Sequence, residues 1–121
     1  MSRILVIDDE PNLRKVIHAN LSASGYDVNM VENGEEGIKL AKSLKPDLVL
    51  LDIKMPGISG WDLLSTIRTD PGLKNVPVII MTAFMRENEE AKAREMRASF
   101  IEKPFGVSEL LEQVKKALGE Q

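Results

Sequence analysis

The 121-residue chain has no cysteine. That excludes a disulfide, a thiolate metal site and a cysteine nucleophile, and it agrees with a reducing compartment. Long apolar runs are also missing. No stretch approaches the roughly 18 apolar residues of a membrane helix, and MSRILVIDDE turns acidic by Asp8, too soon for the apolar region of a signal peptide. An excess of one charge is missing as well: 16 Lys and Arg stand against 19 Asp and Glu, a net charge of −3. Nothing there draws the chain to nucleic acid or an anionic membrane, and no block of like charge makes a local patch. Direct nucleic-acid and membrane partners are therefore not expected. Cytoplasmic localisation is. There is no internal repeat, low-complexity tract or linker. What is present, 43% hydrophobic and 29% charged residues, suffices for one domain with its own core.

Strand and helix patterns alternate along that domain. Arg3–Ile7, Asp27–Val31, Asp47–Leu51, Val76–Met81 and Phe100–Ile101 read as strands. Between and after them, helices are expected over Asn12–Ser24, Glu35–Leu44, Gly60–Thr69, Met85–Arg97 and Val107–Leu118, with Ser108 in the N-cap region of the last. The first helix carries Leu13, Val16, Ile17 and Leu21 as its apolar stripe, which leaves His18, the only histidine, exposed. Five β-α units imply parallel pairing with helices on both faces. RILVI, LVLL and VIIM are continuously apolar, as strands buried on both faces should be. The second run is interrupted by Asn29 and the fifth is short. Strands 1, 3 and 4 are then central, and the order 2-1-3-4-5 follows. In such a sheet, ligands sit beyond the carboxyl ends of the strands, where the winding reverses.

That edge collects chemistry. Asp8, Asp9 and Glu10 follow strand 1, Asp52 follows strand 3, Thr82 follows strand 4, and Lys103-Pro104 follows strand 5. Like charges ~4–6 Å apart cost on the order of one to several kcal/mol per pair, so a cation or a proton must resolve the crowding. Mg²⁺ does so with one or two carboxylates plus waters and phosphate oxygens. A carboxylate nucleophile, a Mg²⁺ site, a lysine and a hydroxyl suit phosphoryl transfer to Asp52.

VIDDE at 6–10, LVLLDIKMPG at 48–57, MTA at 81–83 and EKPF at 102–105 resemble the receiver domain of two-component response regulators, over essentially the whole chain. The resemblance implies a flavodoxin-like (βα)5 three-layer sandwich, an α/β fold with a parallel sheet. It implies that Asp52 accepts a phosphoryl group from a histidine kinase or phosphotransfer protein. By the same resemblance Asp9, Asp52 and the Lys54 backbone carbonyl ligate Mg²⁺, with Asp8 acting directly or through water. Thr82 and Phe100 form the switch pair, Lys103 contacts the phosphoryl group, and the Lys103-Pro104 peptide is cis. Met55-Pro56-Gly57 turns the chain away from the site. Residues 1–121 would be one receiver domain, alone or as the N-terminal part of a longer regulator. Its partners would be a downstream output protein or domain, reached through the fourth helix, fifth strand and fifth helix, and a phosphorylation-dependent homodimer. Its only catalysis would be its own phosphorylation and dephosphorylation. Lys54 and Phe84, two residues beyond Asp52 and Thr82, would shield the phosphoryl group from water.

Each residue also has a plain structural reading. Asp8, Asp9 and Glu10 can cap the first helix ahead of Pro11, Asp52 can serve a turn, Thr82 can cap a helix, and Lys103 can be a surface lysine. Trp61 is expected to pack at the start of the third helix. The fourth helix is nearly all charge, with Met85, Ala93 and Met96 as a thin apolar face and i,i+4 pairs such as Arg86–Glu90 and Glu90–Arg94. The chain departs from the family where a Gly-Ala pair commonly precedes strand 5. Met96-Arg97 stands there, the Thr82–Lys103 spacing is one residue short, and Phe100 replaces the commoner tyrosine. An altered or mobile connection is expected over Met96–Ser99. Three other functions fit a chain of this architecture. An aspartate-nucleophile phosphohydrolase would carry an acidic residue where Lys54 stands. A flavodoxin-type cofactor module would not place three acids at its phosphate loop. A phosphorylation-independent docking domain of receiver shape is the alternative that the altered 96–99 segment keeps open.

Overall fold

The computed structural model describes residues 2–55 and 57–120, so the expected turn at Met55-Pro56-Gly57 includes one residue, Pro56, outside the described residues. Five strands and five helices alternate: β1 Arg3–Ile7, α1 Pro11–Ala23, β2 Asp27–Val31, α2 Gly34–Leu44, β3 Leu48–Asp52, α3 Gly60–Thr69, β4 Val78–Thr82, α4 Glu87–Glu95, β5 Ala98–Glu102 and α5 Val107–Ala117. All neighbours pair in parallel, in the order β2-β1-β3-β4-β5. The expected α/β architecture and strand order are those observed. No helix of the described residues is long and apolar enough to cross a membrane.

Two apolar layers hold the sheet. Leu5, Ile7, Val49, Leu51, Val78 and Ile80 face α2, α3 and α4, and meet Ala41, Leu63, Leu64, Ile67 and Ala93. Ile4, Val6, Leu48, Leu50, Ile79 and Met81 face α1 and α5, and meet Ile17, Leu21, Leu110 and Val114. Alternate residues of each central strand thus enter opposite layers, which is why these strands are apolar throughout. The stripe on α1 is narrower than expected. Ile17 and Leu21 are buried, but Val16 is 51% exposed because it lies a quarter-turn off the line facing the sheet. His18 is exposed, as expected.

Several ends differ from the sequence reading, each for a local reason. β4 starts at Val78 rather than Val76. The Val76 N–H donates to Leu73 in the preceding turn, and Pro77 has no N–H to give a ladder. β5 extends to Ala98–Glu102 because an edge strand tolerates the exposed Ser99 and Glu102 that break its apolar run. α5 is capped at Gly106, so Ser108 lies inside the first turn and caps nothing. Side-chain caps do start α2 and α3, where Asn33 accepts the Glu36 N–H and Ser59 the Asp62 N–H. Gly60, the first residue of α3, touches the strand that ends at Asp52. A Cβ there would stand 2.5 Å from Ile53 Cα and 2.7 Å from the Asp52 carbonyl oxygen, closer than atoms pack.

Candidate functional site

The register brings the carboxyl ends of the strands to one edge. Ile7 pairs with Leu51, Asp52 with Met81, and Thr82 with Glu102. Beyond these pairs the backbone continues to bond: Ile53 donates to Met81 O, and Lys103 donates to Thr82 O at 2.7 Å. Asp8, Asp52 and Lys103 are therefore fixed at their Cα atoms by three neighbouring strands and the peptide after the fourth.

Asp8 is fully buried, and its Oδ1 accepts the Glu10 N–H at 2.7 Å. Asp52, 4% exposed, accepts the Lys54 N–H on Oδ1 at 3.1 Å. The Lys103 ammonium lies 3.1 Å from Glu10 Oε1, 3.3 Å from Asp8 Oδ2 and 3.5 Å from Asp52 Oδ2. Burial and then the neighbouring Asp8 charge push the Asp52 pKa up to about 6, with Lys103 acting the other way. Burial also raises the Asp8 carboxyl, against the Glu10 N–H and Lys103. Burial pulls the Lys103 pKa down, but Glu10, Asp52 and Asp8 together hold it above its ordinary value. The site is thus a pocket of excess negative charge around one cation.

The structure joins some of the sequence-derived residues and not others. Asp8, Asp52 and Lys103 converge. Asp9 is exposed and outside the tight carboxylate cluster, though its charge reaches Asp52. Its place in the cluster is taken by Glu10: oxygens of Asp8, Glu10 and Asp52 all lie within 4.8 Å of one another. Thr82 is buried, and its hydroxyl donates to the Phe84 carbonyl at 3.2 Å and accepts the Phe84 N–H. It does not cap α4, whose N-cap is Arg86. Phe100 is half-buried on β5, opposite Ile80. The Lys103-Pro104 peptide is cis. Glu10 stands at the N-cap of α1 without capping it; the acidic run after strand 1 signalled its presence, and the helix-cap reading hid its contact with Lys103.

A family profile for the response regulator receiver domain matches residues 4–115 of this chain. The chain belongs to the response regulator receiver family. Receivers are signalling domains of two-component systems rather than conventional enzymes. The DNA-binding dual master transcriptional regulator RpaA of Synechocystis sp. is 34% identical over 98% of the chain, which spans about half, 49%, of RpaA. The polar-differentiation response regulator DivK of Brucella anthropi is 32% identical over 97% of the chain and 96% of DivK. The response regulator TrrA of Thermotoga maritima, solved in complex with Mg(2+)-BeF, is 41% identical and covers 98% of this chain and 100% of its own, with a TM-score of 0.85.

The altered segment of this receiver is a left-handed arginine. Arg97 has φ +58, the conformation a glycine would take without strain, and it turns the chain from α4 into β5. Two guanidinium groups surround the turn. Arg68 of α3 donates to the carbonyls of Met96 at 2.8 Å, Arg97 at 3.1 Å, Val76 at 2.7 Å and Lys74 at 3.2 Å. Arg97 donates to Lys74 O at 2.9 Å and to Asn75 Oδ1 at 3.4 Å. Arg68 gave no signal in the sequence, because its acceptors are backbone carbonyls of distant residues. In α4 only Ala93 is buried. The expected Arg86–Glu90 and Glu90–Arg94 pairs are not formed among the described residues; Glu89 accepts the Arg86 N–H instead. Lys92 lies over the half-buried Trp61 ring at 4.6 Å, a cation–π contact between α4 and α3.

Proposed function

We propose that this receiver accepts a phosphoryl group on Asp52. The observation that carries the reading is the buried Asp52 carboxylate, at the mouth of the crevice, sharing one ammonium with Asp8. A carboxylate oxygen of Asp52 attacks phosphorus, the bond from phosphorus to the donor's leaving nitrogen or oxygen breaks, and the electron pair leaves with that atom. Lys103 can meet the charge on the transferring oxygens with donors already in place. The Thr82 hydroxyl, now turned to Phe84, is the group free to rotate toward an added oxygen.

The donor set fits a hard divalent cation. Carboxylate oxygens converge, and one lysine does not offset three acids. Asp8, Asp9, Asp52 and the Lys54 carbonyl would hold Mg²⁺, beside Glu10. When bound, the ion supplies charge neutralisation for the phosphoryl oxygens. The partners that go with this reading are a histidine kinase or phosphotransfer protein as donor, and an output protein or domain as reader. The Phe100 side of β5, between α4 and α5, forms a groove of ≈ 630 Å³ suited to that reader or to a second phosphorylated copy. The chain then works as a receiver domain, alone or as the N-terminal part of a longer regulator.

Acetyl phosphate with Mg²⁺, followed by intact mass, tests this. A gain of one phosphoryl group is expected, lost in Asp52→Asn and without Mg²⁺. No gain in any condition rejects the reading and favours a docking domain of receiver shape, the rival that the altered 96–99 segment keeps open.

A further inference from the structure

Lys103 has three N–H donors, and three carboxylates surround them. The nearest, at 3.1 Å, is Glu10, which the phosphoacceptor reading leaves without a task. Asp8 and Asp52 lie deep, with side chains 0% and 6% exposed, whereas the Glu10 side chain is 59% exposed. Glu10 is thus the outermost member of the cluster, on the side from which a donor must arrive. Its side chain spends no hydrogen bond on the helix it starts. Asp52 is the most distant of the three partners, at 3.5 Å. In the resting arrangement the ammonium is drawn outward, toward Glu10, rather than toward the nucleophile.

An incoming phosphoryl group brings anionic oxygens that need the same donors. One ammonium cannot serve three carboxylates and a phosphoryl group at once. The two deep acids are held by backbone N–H groups from Glu10 and Lys54, while the Glu10 carboxylate has no other hydrogen-bond partner among the described residues. The exposed acid is the one able to leave.

We propose that Glu10 is a place-holder: its carboxylate occupies Lys103 in the unphosphorylated receiver and is displaced by the phosphoryl oxygens on Asp52. Glu10 is a positioning residue, since it acts through Lys103. It slows entry of the phosphoryl group and loosens the hold of Lys103 on it. This rests on the phosphoacceptor reading.

The test compares wild type with Glu10→Gln and Glu10→Asp. Gln keeps the length and removes the charge; Asp keeps the charge and withdraws it from the ammonium by one methylene. Both variants should gain phosphoryl mass from acetyl phosphate faster than wild type, by roughly two- to five-fold, the worth of one partly exposed ion pair. Both should bind beryllofluoride with Mg²⁺ tighter by a similar factor. Mg²⁺ affinity without a phosphoryl analogue, followed by NMR shifts of the site amides, should not rise in either variant, so that the faster gain is not a gain in metal. Unchanged rates overturn the assignment. So does a fall in rate with weaker Mg²⁺ binding, which would make Glu10 a support of the metal. A Glu10→Asp variant that behaves as wild type also overturns it, leaving only the general charge of the mouth. If wild type itself gains no mass, the phosphoacceptor reading fails first; if it gains mass at the rate of Glu10→Gln, only the place-holder fails.

Discussion

Asp52 is held where ionisation is costly. Its pKa is about 6, against an ordinary 3.8, because of burial first and Asp8 second. Across that window the metal-free native chain binds more protons than the unfolded chain, so its stability falls as pH rises. Above pH ~6 the whole cost is present, about 2–3 kcal/mol at roughly 1.4 kcal/mol per unit. Asp52→Asn should therefore be more stable than wild type by about 2–3 kcal/mol at pH 7.5, and the gap should close near pH 4. Urea unfolding in EDTA at both pH values measures it, and a gap that does not change with pH contradicts the account. Two residues beyond Asp52 and Thr82, Lys54 is exposed and Phe84 is 65% exposed. Lys54→Asn/Phe84→Ala should lose its phosphoryl group several-fold faster than wild type; equal rates would remove the shielding role. At this scale the site was largely legible. A charge at the end of an all-apolar strand is conspicuous, so Asp8, Asp52 and Lys103 stood out. Glu10 did not, because an acid before Pro11 already had a structural explanation.

Among the elements, α4 is the one whose position depends least on apolar burial. Only Ala93 is buried in it. Its carboxyl end is held by Arg68, a cation on the carbonyls where the helix dipole is negative, and its middle by Lys92 over Trp61. Arg68→Ala should destabilise the chain by roughly 2–4 kcal/mol, since it leaves the partly buried Met96 and Val76 carbonyls without this donor and frees the exposed Lys74 and Arg97 carbonyls from it. Arg68→Lys should recover less than half of that, because one ammonium cannot span a fork of acceptors. Urea midpoints for the three proteins decide it, and full rescue by lysine would show that charge alone suffices. No periodicity could reveal this arginine. A helix pattern reports which side chains meet the sheet, and Arg68 meets the backbone of two loops instead. For the same reason the sequence marked the Met96-Arg97 connection as altered but not how it is held. Strand ends were misread where a proline or an edge position, rather than hydrophobicity, decides pairing, as at Pro77 and Ser99.

For the molecule as a whole, strand order was the most legible property, because burial on two faces leaves an unbroken apolar run in β1, β3 and β4 and in neither edge. That order brings acids and lysine, distant in sequence, to one rim. What could not be read was how deep each acid would sit, since depth is set by packing between layers. Gly60 shows how that depth is kept. It offers no chemistry, yet the space a methyl group would need belongs to Ile53 and the Asp52 carbonyl. In a pooled library of every single substitution, scored for phosphoryl gain, codon 60 should thus tolerate change as poorly as codon 52. The two would differ in one respect: folded protein should persist in Asp52 variants and be depleted in Gly60 variants, alanine included, and free tolerance of alanine at 60 would show that the helix can simply step back. Inheritance would then guard an empty volume as strictly as it guards a carboxylate.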